Sequence, residues 1–385
     1  MKKFLPTPQF IIPFSLFLVA LAVNISMPLF REYGKLAGLS HGELALALGS
    51  YILGMLPCYI FFGGASDVLG RKPVLLLSVL MSLSSNILIT IFPNIWALIM
   101  CRIFQGIALG LSMGTGTAYL TEYLDQFKND TQAATKSANA MSLATALGFG
   151  GGAFSTTLFL LYSFTYRPFT YFIAVTATLL GCIWILRLPK IKPIGGTIMR
   201  LPYFPKNAMP INMEIAIGWA CTNTVIAIIP SQLAQVGLSK YAGFGLVCIN
   251  WSGALLQPFI HKHFSSKQSL KIGTILAPIG FAVVILGAKT GLIALMLLGA
   301  GMVGSSCYGF SYQGGLAAIS VLGGIQRARA VSGYMLVGYI GFGVVPIIIG
   351  FLSDKIGIIN ALYSFEAVIV VLSIGLFQSF RKMEL

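Results

Sequence analysis

Apolar residues run along this chain in unbroken blocks of about 18–23 residues, parted by short clusters of glycine, proline and charge. Such blocks lack the two-residue alternation of a half-buried strand, and their length suits a helix that crosses a bilayer. Twelve are placed, at 10–30, 43–63, 74–92, 95–117, 138–160, 168–187, 211–230, 242–260, 272–288, 291–312, 331–352 and 359–380. The thinnest separations are Pro93-Asn94 and Lys289-Thr290-Gly291. Continuous rather than alternating hydrophobicity excludes a transmembrane barrel. The pattern therefore predicts an all-α integral membrane protein of twelve transmembrane helices.

One long polar break interrupts the series. Residues 188–210 hold Pro189, Pro193, Pro202, Pro205 and Pro210 with Gly195-Gly196 and several basic side chains. It divides the blocks six and six, giving a bundle over 1–188, a linker over 189–210 and a second bundle over 211–385. A shift of 193 residues places Gly148-Phe149-Gly150 on Gly341-Phe342-Gly343, and Gly106 and Ala108 on Gly299 and Gly301. Two six-helix pseudo-repeat halves with a site between them are one plan of secondary transporters.

Composition supports the membrane reading and redirects the reading of charge. Hydrophobic residues make up 57% and charged residues 9%, with a mean hydropathy of +0.87. A net charge of +15 would suggest nucleic acid if it formed one patch. Instead, with the N-terminus inside, 18 basic residues fall on the cytoplasmic side and 6 opposite, with Arg102 inside a span. That asymmetry is the positive-inside rule, and it predicts both termini in the cytoplasm and no nucleic-acid partner. Lys2-Lys3 and the small-x-small Ala20-Leu21-Ala22 imitate a cleavable leader, but the apolar run continues to Phe30, so an uncleaved first helix is expected. The six cysteines lack CxxC spacing, and His261 and His263 lack a third ligand, so neither disulfide, metal nor cofactor is expected. No nucleophile–base constellation or phosphate loop points to an enzyme.

With charge so scarce, the cluster Gly63-Gly64-Ala65-Ser66-Asp67-Val68-Leu69-Gly70-Arg71-Lys72 between spans 2 and 3 calls for a reason. Glycines let helix ends approach closely, and Asp67 can sit near a helix N-terminus and pair with Arg71. The pattern G-x-x-x-D-x-x-G-R-K resembles the loop between helices 2 and 3 of the major facilitator superfamily. Arg102, Gln105 and Gly106 in span 4 resemble the R-x-x-Q-G motif of that superfamily's drug/proton antiporters. Burying a guanidinium costs roughly 2.5–3.5 kcal/mol on insertion scales, so its default reading is functional; the alternative is an arginine reaching the outer interface. Gly148 to Gly152 are similar to the G-P-x-x-G motif of span 5, with Phe149 in place of the proline. Asn24 and Pro28 occupy places like the polar residue and proline of the family's first helix.

The resemblance implies alternating access, with Arg102 and Gln105 in proton coupling and Asp67, Gly70, Arg71, Lys72, Gly148 and Gly152 in gating. Candidates for substrate contact are Asn24, Tyr51, Asn223, Asn250, Gln257, Tyr308, Tyr312, Gln313, Tyr334 and Tyr339, since aromatic and amide groups suit amphipathic solutes. Among the acids only Glu366 is placed well inside a span, while Glu214 opens span 7, where a helix N-terminus favours it. Gly350 to Gly357 echo the loop signature at the outer end of span 11, and this stretch is expected to cap that helix. The expected function is export of a small organic molecule across the inner membrane by a monomeric, proton-coupled antiporter. The alternatives are an exporter of an anionic or zwitterionic metabolite such as a metallophore, and a solute importer.

Overall fold

The computed structural model describes residues 6–235 and 241–383. It is built of helices: α1 (Pro8–Asn24), α2 (Phe30–Leu36), α3 (His41–Gly49), α4 (Tyr51–Phe61), α5 (Ala65–Leu69), α6 (Arg71–Ile91), α7 (Ile95–Lys128) and α8 (Ala133–Tyr162) come first. After them come α9 (Phe169–Ile185), α10 (Met209–Gln235), α11 (Ala242–His263), α12 (Ser266–Thr290) and α13 (Ile293–Gly304). The last are α14 (Tyr312–Leu322), α15 (Arg327–Ile356) and α16 (Ile358–Lys382). Ser305–Ser311, between α13 and α14, is π-helical.

Among the described residues, 10 helical stretches are long and apolar enough to cross a membrane. The other two predicted blocks coincide with α9, apolar but only 17 residues, and with the 27-residue α10. Two predicted spans differ from the expectation in form. The first is broken after Asn24, because Pro28 has no N–H to offer the Asn24 carbonyl and its ring crowds that position. The tenth changes winding at Ser305, so that α13, the π turn and α14 follow one another to Leu322.

Contacts divide the chain into two units. The first holds residues up to Met27 with Leu53–Leu201; the second holds Pro28–Ile52 with Pro202–Leu385. In the first, α1 lies against α7, α8 and α9, and α6 packs on α7 and α9. A Cβ at Gly148 would stand 2.5 Å from the Phe17 carbonyl oxygen, and one at Gly152 would strike the Leu21 carbonyl, so α8 meets the α1 backbone directly. In the second, α10 packs along α15, α12 on α13 and α16, and α3 against α15.

Candidate functional site

The interruption of the first span organises the first unit's polar core. The last regular helical bond there runs from the Ile25 N–H to the Leu21 carbonyl at 3.0 Å, which leaves the next carbonyls without helical donors. Arg102 and Gln105 supply them from α7. Arg102 Nη1 donates to the Val23 carbonyl at 2.9 Å and to Gln105 Oε1 at 3.2 Å, and its Nη2 touches Met27 Sδ. Gln105 Nε2 donates to the Ala22 carbonyl at 2.8 Å and to Ser85 Oγ at 2.9 Å. Arg102 is only 3% exposed, so it binds backbone inside the bundle and does not reach out to an interface.

Asn24, at the same break, donates from Nδ2 to the Phe149 carbonyl at 3.0 Å. In the second unit Asn223 Nδ2 donates to the Phe342 carbonyl at 2.6 Å. Phe149 and Phe342 are the central residues of the two Gly-Phe-Gly triplets, so both units repeat one amide-to-carbonyl cross-link.

The loop cluster between α4 and α6 is a buried charge network. Arg71 pairs with Asp67 and bonds Glu122 of α7 from Nε at 3.0 Å and Nη2 at 2.6 Å, while Nη1 donates to Ser66 at 2.7 Å. Lys72 donates to the Leu186 and Leu188 carbonyls at 2.6 and 2.9 Å. The linker joins in: Arg200 pairs with Asp67 at 2.5 Å, and the Gly64 N–H donates to the Ile198 carbonyl at 2.8 Å. Glu122 and Arg200 were absent from the sequence expectation. The available signal was electrostatic: a basic residue that must be buried in a tight turn needs more than one carboxylate around it.

The Gly350–Gly357 echo is structural as well. Gly70 has φ 94° and ψ 153°, Gly357 has φ 82° and ψ 150°, and both are conformations closed to ordinary L-residues. Gly357 is the C-cap of α15, and Asp354 of the same stretch serves another helix. Its Oδ1 accepts from the His41 N–H and its Oδ2 from the Gly42 N–H, each at 2.9 Å, so it caps α3. Ser40 and Glu43 complete a capping box at that end. Replacing Asp354 with alanine should cost about 0.5–2 kcal/mol, as a lost N-terminal cap does. Thermal unfolding in detergent checks this, and wild-type melting in Asp354→Ala would remove the contact from the stability balance.

The substrate-contact candidates separate into groups. In the second unit the rings of Tyr51 and Tyr339 lie 6.5 Å apart, and Trp219 meets Tyr339 edge-on at 4.3 Å and Tyr308 at 6.4 Å. Sequence reasoning overlooked Trp219, whose buried Nε1 has no hydrogen-bond partner. Gln257 Nε2 donates to the Tyr308 carbonyl at 3.0 Å, beside that cluster. Asn250 instead bonds back along its own helix to the Leu246 carbonyl at 2.7 Å. Tyr312 and Gln313 are half-buried at the start of α14. Tyr334 is fully buried, its hydroxyl donating to the Ser311 carbonyl at 3.0 Å. Asn24 belongs to the other unit.

The acids Glu366 and Glu214 have different surroundings. Glu366 lines a groove of about 540 Å³ between α12 and α16, with Thr274, Pro278, Phe377 and Arg381. Glu214 does lie near the start of α10, and helices close over it to 2% exposure. Among the described residues no group of three or more His, Cys, Asp or Glu could hold a metal ion.

Membrane-length helices, a polar break in the first span held by a buried arginine, and a charged glycine loop define a membrane transporter rather than an enzyme. Residues 13–306 match the model of the Major Facilitator Superfamily, and the chain belongs to that family. Comparison with curated proteins gave no match. Solved structures share the fold at low identity. A mutant of the nucleoside transporter NupG superposes with a TM-score of 0.77 at 13% identity, covering 97% of this chain and 100% of its own. A POT family transporter in complex with 5-aminolevulinic acid gives 0.71 at 14%, covering 95% and 94%. The human organic anion transporter MFSD10 gives 0.64 at 14%, covering 96% and 100%.

Proposed function

We propose that this transporter exports a small organic molecule across the inner membrane by proton-coupled alternating access. In this reading it works as a monomer with both termini cytoplasmic, and the bundles 1–188 and 211–385 rock about the linker 189–210. The observation that carries the reading is the Arg102–Gln105 pair on the broken first span. Irregular backbone at membrane depth is tolerated where a site or cavity needs it, and here two side chains are committed to holding it. Those side chains are also the ones that resemble the antiporter motif.

The substrate reading follows from the candidate contacts, which offer amides, phenols and an indole N–H but no carboxylate. A permanent cation would meet no counter-ion among these contacts, and cation–π contacts offset only about 0.5–2 kcal/mol of its desolvation. Neutral, zwitterionic or anionic amphiphiles are therefore the preferred class, and the second reading, an exporter of an anionic or zwitterionic metabolite, rests on the same contacts. Flux into proteoliposomes under an imposed pH gradient, across a panel of solutes, tests both. Acidic and neutral solutes should outcompete tetraphenylphosphonium. Tight tetraphenylphosphonium binding that survives both Glu366→Gln and Glu214→Gln would sink the charge argument, and wild-type flux indifferent to the pH gradient would sink antiport.

A further inference from the structure

Glu214 is the most thoroughly enclosed carboxylate among the described residues, and the expected machinery leaves it unused. It lies on α10 at 2% exposure, where α12, the π turn and α15 meet. Ser311 Oγ, at the end of the π turn, stands 2.5 Å from Oε1. Oε2 is buried with no hydrogen-bond partner. None of the ion pairs among the described residues reaches it. A cation at this spot would make a salt bridge; its absence leaves an ionised carboxylate without compensation in a low-dielectric site.

We propose that Glu214, its Oε1 held by the Ser311 hydroxyl, is a proton-binding site, and that it is the group whose loading and unloading couples transport to the proton gradient. This deepens the antiport reading above and rests on it. The neutral acid is the form the surroundings suit: Ser311 Oγ donates the one hydrogen bond that the carboxyl receives, at Oε1, and protonation removes the charge that the orphaned Oε2 would otherwise share. The transfer involves no other bond. The carboxyl gives H⁺ to water when the site opens to one side, and the carboxylate takes H⁺ from water when it opens to the other.

The surroundings are built to register that change. Ser306 and Ser311 belong to the same π turn, a winding that is rare and concentrated at functional sites. Ser306 Oγ donates to the Gly273 carbonyl at 2.8 Å, and a Cβ at Gly273 would stand 2.9 Å from Glu214 Oε1 and closer still to Ser311 Oγ. Tyr334 of α15 donates to the Ser311 carbonyl at 3.0 Å. The π turn is thus tied to α12 through Ser306 and to α15 through Ser311, and it is Ser311, its last residue, that touches the carboxyl.

The titratable groups that sense Glu214 are Tyr334 from α15, Cys307 from the π turn and Cys221 on its own helix. Tyr312 of α14 acts on Tyr334, and Glu366 of α16 acts on Cys221. Thiols and phenols are neutral around pH 7, so they do not supply the missing positive charge.

Infrared-monitored pH titration of the full-length protein in lipid nanodiscs tests the site directly. A protonated-carboxyl band that fades with rising pH, and that Glu214→Gln removes, is the expected result. Ser311→Ala keeps the acid and should shift the pH at which the band fades. If no titrating band is lost in Glu214→Gln, the proposal is overturned whatever the flux. The coupling role is read in proteoliposomes with whichever panel solute the wild type carries. Glu214→Gln should lose accumulation driven by the pH gradient while keeping solute exchange at equal pH. Gradient-driven accumulation intact in Glu214→Gln overturns the coupling role while antiport stands. A wild type insensitive to the gradient overturns antiport, and the coupling role with it, while a titrating Glu214 band identifies the proton site.

Discussion

Arg71→Leu is expected to destabilise the protein by about 3–5 kcal/mol and to abolish transport, because it strips a buried network of its central cation. The guanidinium engages Asp67, Ser66 and both oxygens of Glu122, and no other side chain among those contacts carries positive charge to the Glu122 end. Asp67 would retain Arg200, but Glu122 would be left as a half-buried carboxylate against α6. Arg71→Lys should recover only part of the loss, since one ammonium cannot reproduce a fork that reaches three side chains from Nε, Nη1 and Nη2. The double change Arg71→Leu with Glu122→Gln should melt higher than Arg71→Leu alone, as it removes the orphaned charge as well as its partner. Melting and flux are measured together. Wild-type stability in Arg71→Leu would mean that the loop is a solvated turn after all.

The spans could be read from the sequence because a helix in lipid leaves a one-dimensional trace: an apolar run of fixed length. What lies across from a given residue leaves no such trace. Arg71 was recognisable as a charge in a place that needs a partner, yet half of its partnership is Glu122, 51 residues away on α7. Glu214 was misjudged for the same reason. Its position near the start of α10 suggested a helix N-terminus and not a place well inside a span, but burial is decided by α12, α15 and the π turn closing over it. Asp354 shows the converse, a local motif correctly noticed whose carboxylate serves a helix 312 residues distant. The repeat was partly legible. The Gly-Phe-Gly triplets align at a shift of 193, but their cross-linking partners Asn24 and Asn223 are 199 apart, so a search at one fixed shift finds the acceptors and misses the donors. Pro28 carried the signal for the broken first span, and hydropathy alone ran through it.

Arg102 offers the sharpest separation of structural from transport roles. Arg102→Leu should cost about 1–3 kcal/mol for each buried acceptor it leaves unpaired, here the Val23 carbonyl and Gln105 Oε1. Arg102→Lys should also fall short, because an ammonium cannot spread over the Val23 carbonyl, Gln105 and Met27 as the planar group does. The break itself provides the control. Pro28→Ala restores an N–H at position 28 and lets the helix run on past Asn24, so that the chain supplies the donors that Arg102 and Gln105 now provide. Combined with Arg102→Leu it should recover thermal stability. Transport should not recover with it if the interrupted span, and not merely a satisfied one, is what the solute pathway requires. Two results decide against this view: full pH-driven flux in Arg102→Lys, which makes the residue an interchangeable anchor, or full flux in the double variant, which makes the break dispensable.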